Sequence, residues 1–159
     1  MKKGGVAFIG MILALVFILI GLFGSWYYIS ITGFSWDISL TSEANNYLYM
    51  AIIALIFCII ALIGTMGLVF NFGELSTMRK IGGGLGILTF IFALLTPIYF
   101  LVDFASQPFS SMVGFWNDFG GPGYAWYLMI IAAIIALISS IAAFKIKTGT
   151  PAPVQPPAQ

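Results

Sequence analysis

The sequence predicts an all-α integral membrane protein: a four-transmembrane-helix bundle with a small extracellular β-hairpin in its first outer loop. Three observations predict this class. Of 159 residues, 61% are hydrophobic and only 7% carry charge, and the mean hydropathy of +1.09 is far above that of a soluble domain with a large core. Charge is also missing in blocks: 4–36, 44–73, 81–102 and 119–144 contain no Asp, Glu, Lys or Arg. Each block holds the roughly 20 apolar residues a helix needs to cross a bilayer. Finally, Lys2, Lys3, Arg79, Lys80, Lys145 and Lys147 are all the basic residues of the chain, and a four-span arrangement puts every one of them on the same side. By the positive-inside rule that side is cytoplasmic, so both termini face the cytoplasm of a multi-pass cell-membrane protein.

The four spans are read at 6–24, 48–70, 81–102 and 124–144, within one domain, 1–147. Outer loops fill 25–47 and 103–123, and 148–159 form a flexible, Pro-rich cytoplasmic tail. The first span follows Lys2-Lys3 and resembles a secretory signal, but its apolar run is longer than a signal's core. No small-x-small cleavage site follows, so it is read as retained. Trp26, Tyr27 and Tyr28 then mark the interface, where amphipathic rings sit at head-group level.

Residues 26–40, WYYISITGFSWDISL, are the most patterned part outside the spans. Folded back at Thr32-Gly33, Ile31 faces Phe34, Ile29 faces Trp36 and Tyr27 faces Ile38, while Ser30 faces Ser35 and Tyr28 faces Asp37. One face is then apolar and the other polar, as a hairpin in a single register requires. Thr-Gly is a weak match to the favoured two-residue turns, which leaves a longer loop open as an alternative.

Span two is entered through Glu43, Asn45, Asn46, Tyr47 and Tyr49 and closed by Asn71-Phe72-Gly73. A short basic link, 74–80, joins it to span three as an antiparallel pair. Span three opens on Gly82, Gly83, Gly84 and Gly86, and we mark Gly82, Gly83 and Gly86 as helix-packing positions, since residues without side chains permit close backbone approach. Pro97 removes one backbone hydrogen bond near the far end of this span and is expected to kink its last turn. The second outer loop is aromatic-rich and irregular, with a turn expected at Gly120-Gly121-Pro122-Gly123. In span four, Ala132, Ala136 and Ser140 recur every four residues as a small-xxx-small packing seam.

Several chemistries lose their residues. The chain has no histidine and one cysteine, which removes haem axial histidines, histidine relays and zinc sites, cysteine-pair redox chemistry and a disulfide-stapled loop. Cys58 is read as a small core residue. No ionisable residue lies at membrane depth, against proton-driven transport. No Gly-rich loop precedes a lysine after a strand, against phosphate-cradling enzymes. We read the chain as non-enzymatic, with no cofactor, no metal and no nucleic-acid partner. Its partners are the lipid bilayer and a protein partner or a further copy of the chain in the membrane. The candidate contact surface is aromatic: Trp26, Tyr27, Phe34 and Trp36 in loop one, Phe115 and Trp116 in loop two.

Four spans, a β-containing first outer loop, a Trp soon after span one and the element Gly33-Phe34-Ser35-Trp36 resemble the claudin and peripheral-myelin-protein group of tetraspan proteins. In claudins the corresponding motif is Gly-Leu-Trp followed by two cysteines that bridge the loop strands. Here a serine is inserted and the cysteines are absent. The resemblance implies adhesion, membrane organisation or an accessory-subunit role through lateral or cell-to-cell contacts. The alternative reading is a small channel or transporter for an uncharged or lipid-like solute, which needs no ionisable residue.

Overall fold

A computed structural model describes residues 4–31, 34–39, 46–106 and 120–146. In chain order they form α1 (Gly5–Phe23), β1 (Ser25–Ile31), β2 (Phe34–Ser39), α2 (Asn46–Phe70), α3 (Leu75–Ser106), β3 (Gly120–Pro122) and α4 (Tyr124–Phe144). Each of the four helices is long and apolar enough to cross a membrane. The Thr32-Gly33 turn, Phe115, Trp116, Lys2, Lys3, Lys147 and the tail 148–159 lie outside the described residues.

The helices stand in a ring in which α1 and α3 each pack on both α2 and α4, and α2 meets α3 over the longest contact. The buried residues explain the arrangement. Along α2 they are Tyr47, Ala51, Ala54, Cys58, Ala61, Thr65 and Leu68, steps of four and three in alternation. The same rhythm runs through Ala7, Met11, Ala14, Ile18 and Gly21 of α1 and Gly82, Gly86, Thr89, Ala93, Thr96 and Phe100 of α3. In α4 it is Ala125, Met129, Ala132, Ala136, Ser139 and Ala143. This is the heptad seam of left-handed helix packing. Ala132, Ala136 and Ser140 are all buried, but the four-residue repeat expected in span four is one strand of this wider seam.

Large apolar side chains lie on the outside: Ile52, Ile56, Ile59 and Ile63 on α2, and Ile131, Ile134, Ile138 and Ile141 on α4. A soluble protein is built the other way round. Lipid accommodates isoleucine as readily as a protein core does, so burying it between helices gains little. Association in the bilayer then rests on close van der Waals approach, which small residues permit.

Two expected boundaries move. The link 74–80 is largely helical, because α3 begins at Leu75 and Glu74 caps it. The Glu74 carbonyl accepts from Met78 N at 2.9 Å, and its carboxylate accepts from the hydroxyls of Ser76 at 2.6 Å and Thr77 at 2.9 Å. At the other end α3 continues through Asp103 to Ser106. Charged residues mark where the hydrocarbon ends, and a helix whose backbone is internally bonded need not stop there. Pro97 also sits inside α3 without ending it. Between α2 and α3, Asn71 (φ 54°) and Gly73 (φ 75°) take left-handed conformations, the usual way of closing a helix and reversing the chain.

The sheet has the order β2-β1-β3. β1 and β2 pair with Ile31 opposite Phe34, Ser30 opposite Ser35, Ile29 opposite Trp36, Tyr28 opposite Asp37 and Tyr27 opposite Ile38. That is the register the alternation specifies. The turn expected at 120–123 is not formed. Gly120, Gly121 and Pro122 instead form a strand opposite Ile29, Tyr28 and Tyr27, where glycines let the backbone come alongside β1 without a side-chain clash, and Pro122 occupies the strand's last place.

Candidate interaction surface at the sheet-capped end

The sheet sits where α1 ends and α4 begins, and one residue fixes it there. Between Ser25 and Tyr27 the β1–β2 register shifts, a bulge that leaves Trp26 without a cross-strand partner. Bulges re-aim side chains, and here the indole turns into the bundle. Trp26 is fully buried. Its ring lies 5.3 Å from that of Phe100 at the end of α3, and Phe100 in turn lies edge-on to Tyr47 of α2 at 5.4 Å. The indole N–H donates to the Gly21 carbonyl, one of the last-turn acceptors of α1 that no further helical turn would satisfy. The Trp26 backbone carbonyl accepts from Gly123 N at 2.7 Å, tying β3 and the start of α4 to the same residue.

Two glycines make this junction possible. A Cβ on Gly24 would lie 2.7 Å from the Ile20 carbonyl oxygen and 2.9 Å from Ala125 Cβ, and one on Gly123 would fall within 2.6 Å of the Ser25 carbonyl carbon. Nearby, the Trp126 indole of α4 donates to the Pro97 carbonyl of α3 at 3.2 Å. The aromatic girdle therefore holds three helix ends and the central strand together through both ring packing and N–H donation, as buried indoles do.

The six candidate contact residues separate accordingly. Trp26 is withdrawn from the surface: it is a core residue, and neither an interface ring nor an exposed contact. Tyr27, Phe34 and Trp36 lie on β1 and β2 as described backbone, on the register position that groups Tyr27, Ile29 and Ile31 with Ile38, Trp36 and Phe34. Phe115 and Trp116 lie outside the described residues.

The packing residues are brought into contact with other helices. A Cβ on Gly82 would meet Thr65 N at 3.0 Å, one on Gly83 would meet the Phe144 ring at 2.6 Å, and one on Gly86 would meet Met11 Cε at 2.9 Å. Sequence reasoning missed Gly64, which faces Gly82 across the α2–α3 contact, and the roles of Phe100, Tyr47 and Trp126. The signal for Gly64 was its place on the heptad rhythm beside Thr65. Phe100 and Tyr47 also stand on that rhythm, as the end positions of the α3 and α2 series, but nothing local says that their rings would meet each other and Trp26.

Several large side chains are buried between the helices. Met11, Ile18, Trp26 and Met129 are fully buried, as is Cys58, whose Sγ lies 3.7 Å from the Met11 carbonyl oxygen. The buried hydroxyls return to their own helices: Thr89 to Leu85, Thr96 to Phe92, Ser139 to Ile135 and Ser140 to Ala136, all at 2.6–2.9 Å, and Thr65 to Leu62 at 2.9 Å. No protein-family model matches the chain, and a search of curated proteins gives no match.

Proposed function

We propose that the protein is a non-enzymatic tetraspan scaffold that presents the β2-β1-β3 sheet outside the cell for lateral or cell-to-cell contact with another membrane protein. The observation that carries this reading is the mounting of the sheet. A surface loop without a partner needs no anchor, whereas here the central strand is bolted to three helix ends through Trp26, Phe100 and the Gly123 backbone. In the described sheet β2 is one of the two edge strands, no further described strand pairs with its outer side, and Phe34, Trp36 and Ile38 share one register face. Rigidly held edges and aromatic faces bind partners at low entropic cost. Placing this end outside follows from the basic residues at the other end.

A claudin-like scaffold belongs to the same proposal. Claudins tie their loop strands with a cysteine pair; this chain has none there, and the buried indole and β3 supply the mechanical link. The buried hydroxyls, each bonded back to its own helix, favour contact over passage of a polar solute.

The test places a photo-cross-linking amino acid at Ser35 or Ile38 of β2 and, as a control, at the outward-facing Ile134 of α4, in intact membranes. Protein adducts from the β2 positions alone are expected. Trp36→Ala should then abolish those adducts while leaving the melting temperature of the purified protein within about 2 °C. Lipid adducts only, together with solute flux through reconstituted vesicles, would overturn the proposal in favour of a transporter.

A further inference from the structure

At the end opposite the sheet, Arg79 reaches from α3 to the end of α4. Its Nη1 donates to the Ile146 carbonyl at 3.3 Å, two residues past Phe144, where a helix end leaves its carbonyls without helical donors. The guanidinium is thereby held between two helix ends. Its Nε is shut off from solvent and has no hydrogen-bond partner. A buried donor on a charged group is expensive to leave unmet. The arginine fork is shaped for two oxygens of a phosphate or carboxylate.

The acid of this end does not supply them. Glu74 is fully engaged with Ser76 and Thr77. Lys80 and Lys145 are exposed at the same end, and even with Glu74 close enough to feel the Lys80 charge the described residues of this end are net positive. Depth identifies the missing acceptor. The third span, Leu75–Val102, is 28 residues long, or about 42 Å at the helical rise. That exceeds a hydrocarbon core of roughly 30 Å and matches roughly 40–45 Å for a bilayer with its head groups. Within that span the charge-free run 81–102 is 22 residues, about 33 Å at the same rise, which fills the hydrocarbon core, so Arg79, two residues before the run, falls in the head-group layer of one leaflet.

We propose that Arg79, braced by Ile146 and flanked by Lys80 and Lys145, binds the phosphate of an anionic phospholipid between the ends of α3 and α4. The site is independent of the contact surface at the other end and of which side of the membrane it faces. A phosphate entering here displaces the groups that cover Nε and completes the Arg79 fork, and the ammonium groups of Lys80 and Lys145 favour net negative charge in the head group.

Native mass spectrometry of the full chain in neutral detergent tests this, with phosphatidylglycerol, phosphatidylcholine and inorganic phosphate as probes. Phosphatidylglycerol should be retained at least roughly tenfold better than phosphatidylcholine. Arg79→Met should bring the two to parity, and Arg79→Lys, which keeps the charge but loses the fork, should recover only part of the preference. Lys80→Gln with Lys145→Gln, both exposed and remote from the packing, should weaken phosphatidylglycerol roughly tenfold or more on a folded protein. This pair decides the question if Arg79→Met fails to fold. Equal retention of both lipids by the unaltered chain, or unchanged preference in Arg79→Lys and in the double lysine variant, would overturn the site. Displacement by millimolar inorganic phosphate without any lipid preference would overturn the lipid assignment in favour of a soluble phosphate.

Discussion

The two ends of the bundle are held together by different mixtures of large rings and small residues. At the sheet-capped end large rings do much of the packing, with Trp26 of β1, Phe100 of α3 and Tyr47 of α2 in contact in series. Toward the basic end a ring pair, Phe8 edge-on to Phe70 at 6.2 Å, stands beside contacts built on small residues: Gly64 against Gly82, Gly83 under the Phe144 ring, and Ala7 with Ala143 and Leu68 in one cluster. The difference follows the solvent. The sheet has to fold beside water, where burying an indole removes a large apolar area and its N–H still needs an acceptor. Within the bilayer apolar burial gains little, and what remains is the closeness of two backbones.

That contrast is broken or sharpened by substitutions at each end. The largest effect is expected from Trp26→Ala. Removing a fully buried indole typically costs about 3–5 kcal/mol, and the sheet should detach from a bundle that stays helical. Thermal melting in detergent checks the first part. Hydrogen exchange checks the second: β1 and β3 amides should lose protection while those of α2 keep it. Equal loss of protection in both would show that the cap and the bundle are one unit.

Gly64 and Gly84 give a smaller, two-signed test at the other end. A Cβ on Gly64 would lie 2.9 Å from Gly82 Cα and 2.8 Å from Ile81 Cγ2, whereas one on Gly84 meets nothing within 4 Å. Alanine gains about 1 kcal/mol of helix propensity over glycine at either position. At Gly64 the neighbouring backbone must move, and overpacking of about 1–3 kcal/mol outweighs that gain. Gly64→Ala should therefore lower the melting temperature and Gly84→Ala should raise it. A rise in both would mean that α2 and α3 are not in backbone contact.

The smallest effect belongs to the Glu74 cap. The Ser76 hydroxyl, and then that of Thr77, hold its carboxyl below the usual carboxylate range. A depressed value in the folded state means the stabilisation is present above the unfolded value, about 4.3 for glutamate, and fades as pH falls through the lower folded value. Glu74→Gln should lower the melting temperature slightly at neutral pH and converge on the unaltered chain as pH falls below that value, the gap staying small because the carboxylate is exposed to solvent. A wild-type profile already flat on the acid side would show that the cap contributes nothing.

Much of this molecule is determined by the sequence alone. Four spans follow from blocks without charge, because an unpaired charge in hydrocarbon is costly wherever the helix lies. The hairpin register follows from alternation, since a slip of one residue would exchange its two faces. Gly82, Gly83 and Gly86 are also legible as packing positions, because an absent side chain has few other uses in a membrane helix.

Tertiary structure decided the rest, and the reason differs from case to case. Trp26 looked like an interfacial ring because its neighbours Tyr27 and Tyr28 share that chemistry; only the bulge between Ser25 and Tyr27 turns it inward. Gly120-Gly121-Pro122 has the composition of a turn, and becomes a strand because β1 has an open edge for a backbone without side chains. Lys80 and Asp103 mark the limits of the apolar run but not those of α3, which runs from Leu75 to Ser106, since backbone hydrogen bonding extends a helix past the hydrocarbon at no electrostatic cost. The reach of Arg79 to Ile146 spans 67 residues. No local pattern encodes it, because the meeting of two helix ends depends on how four nearly featureless apolar cylinders choose their neighbours.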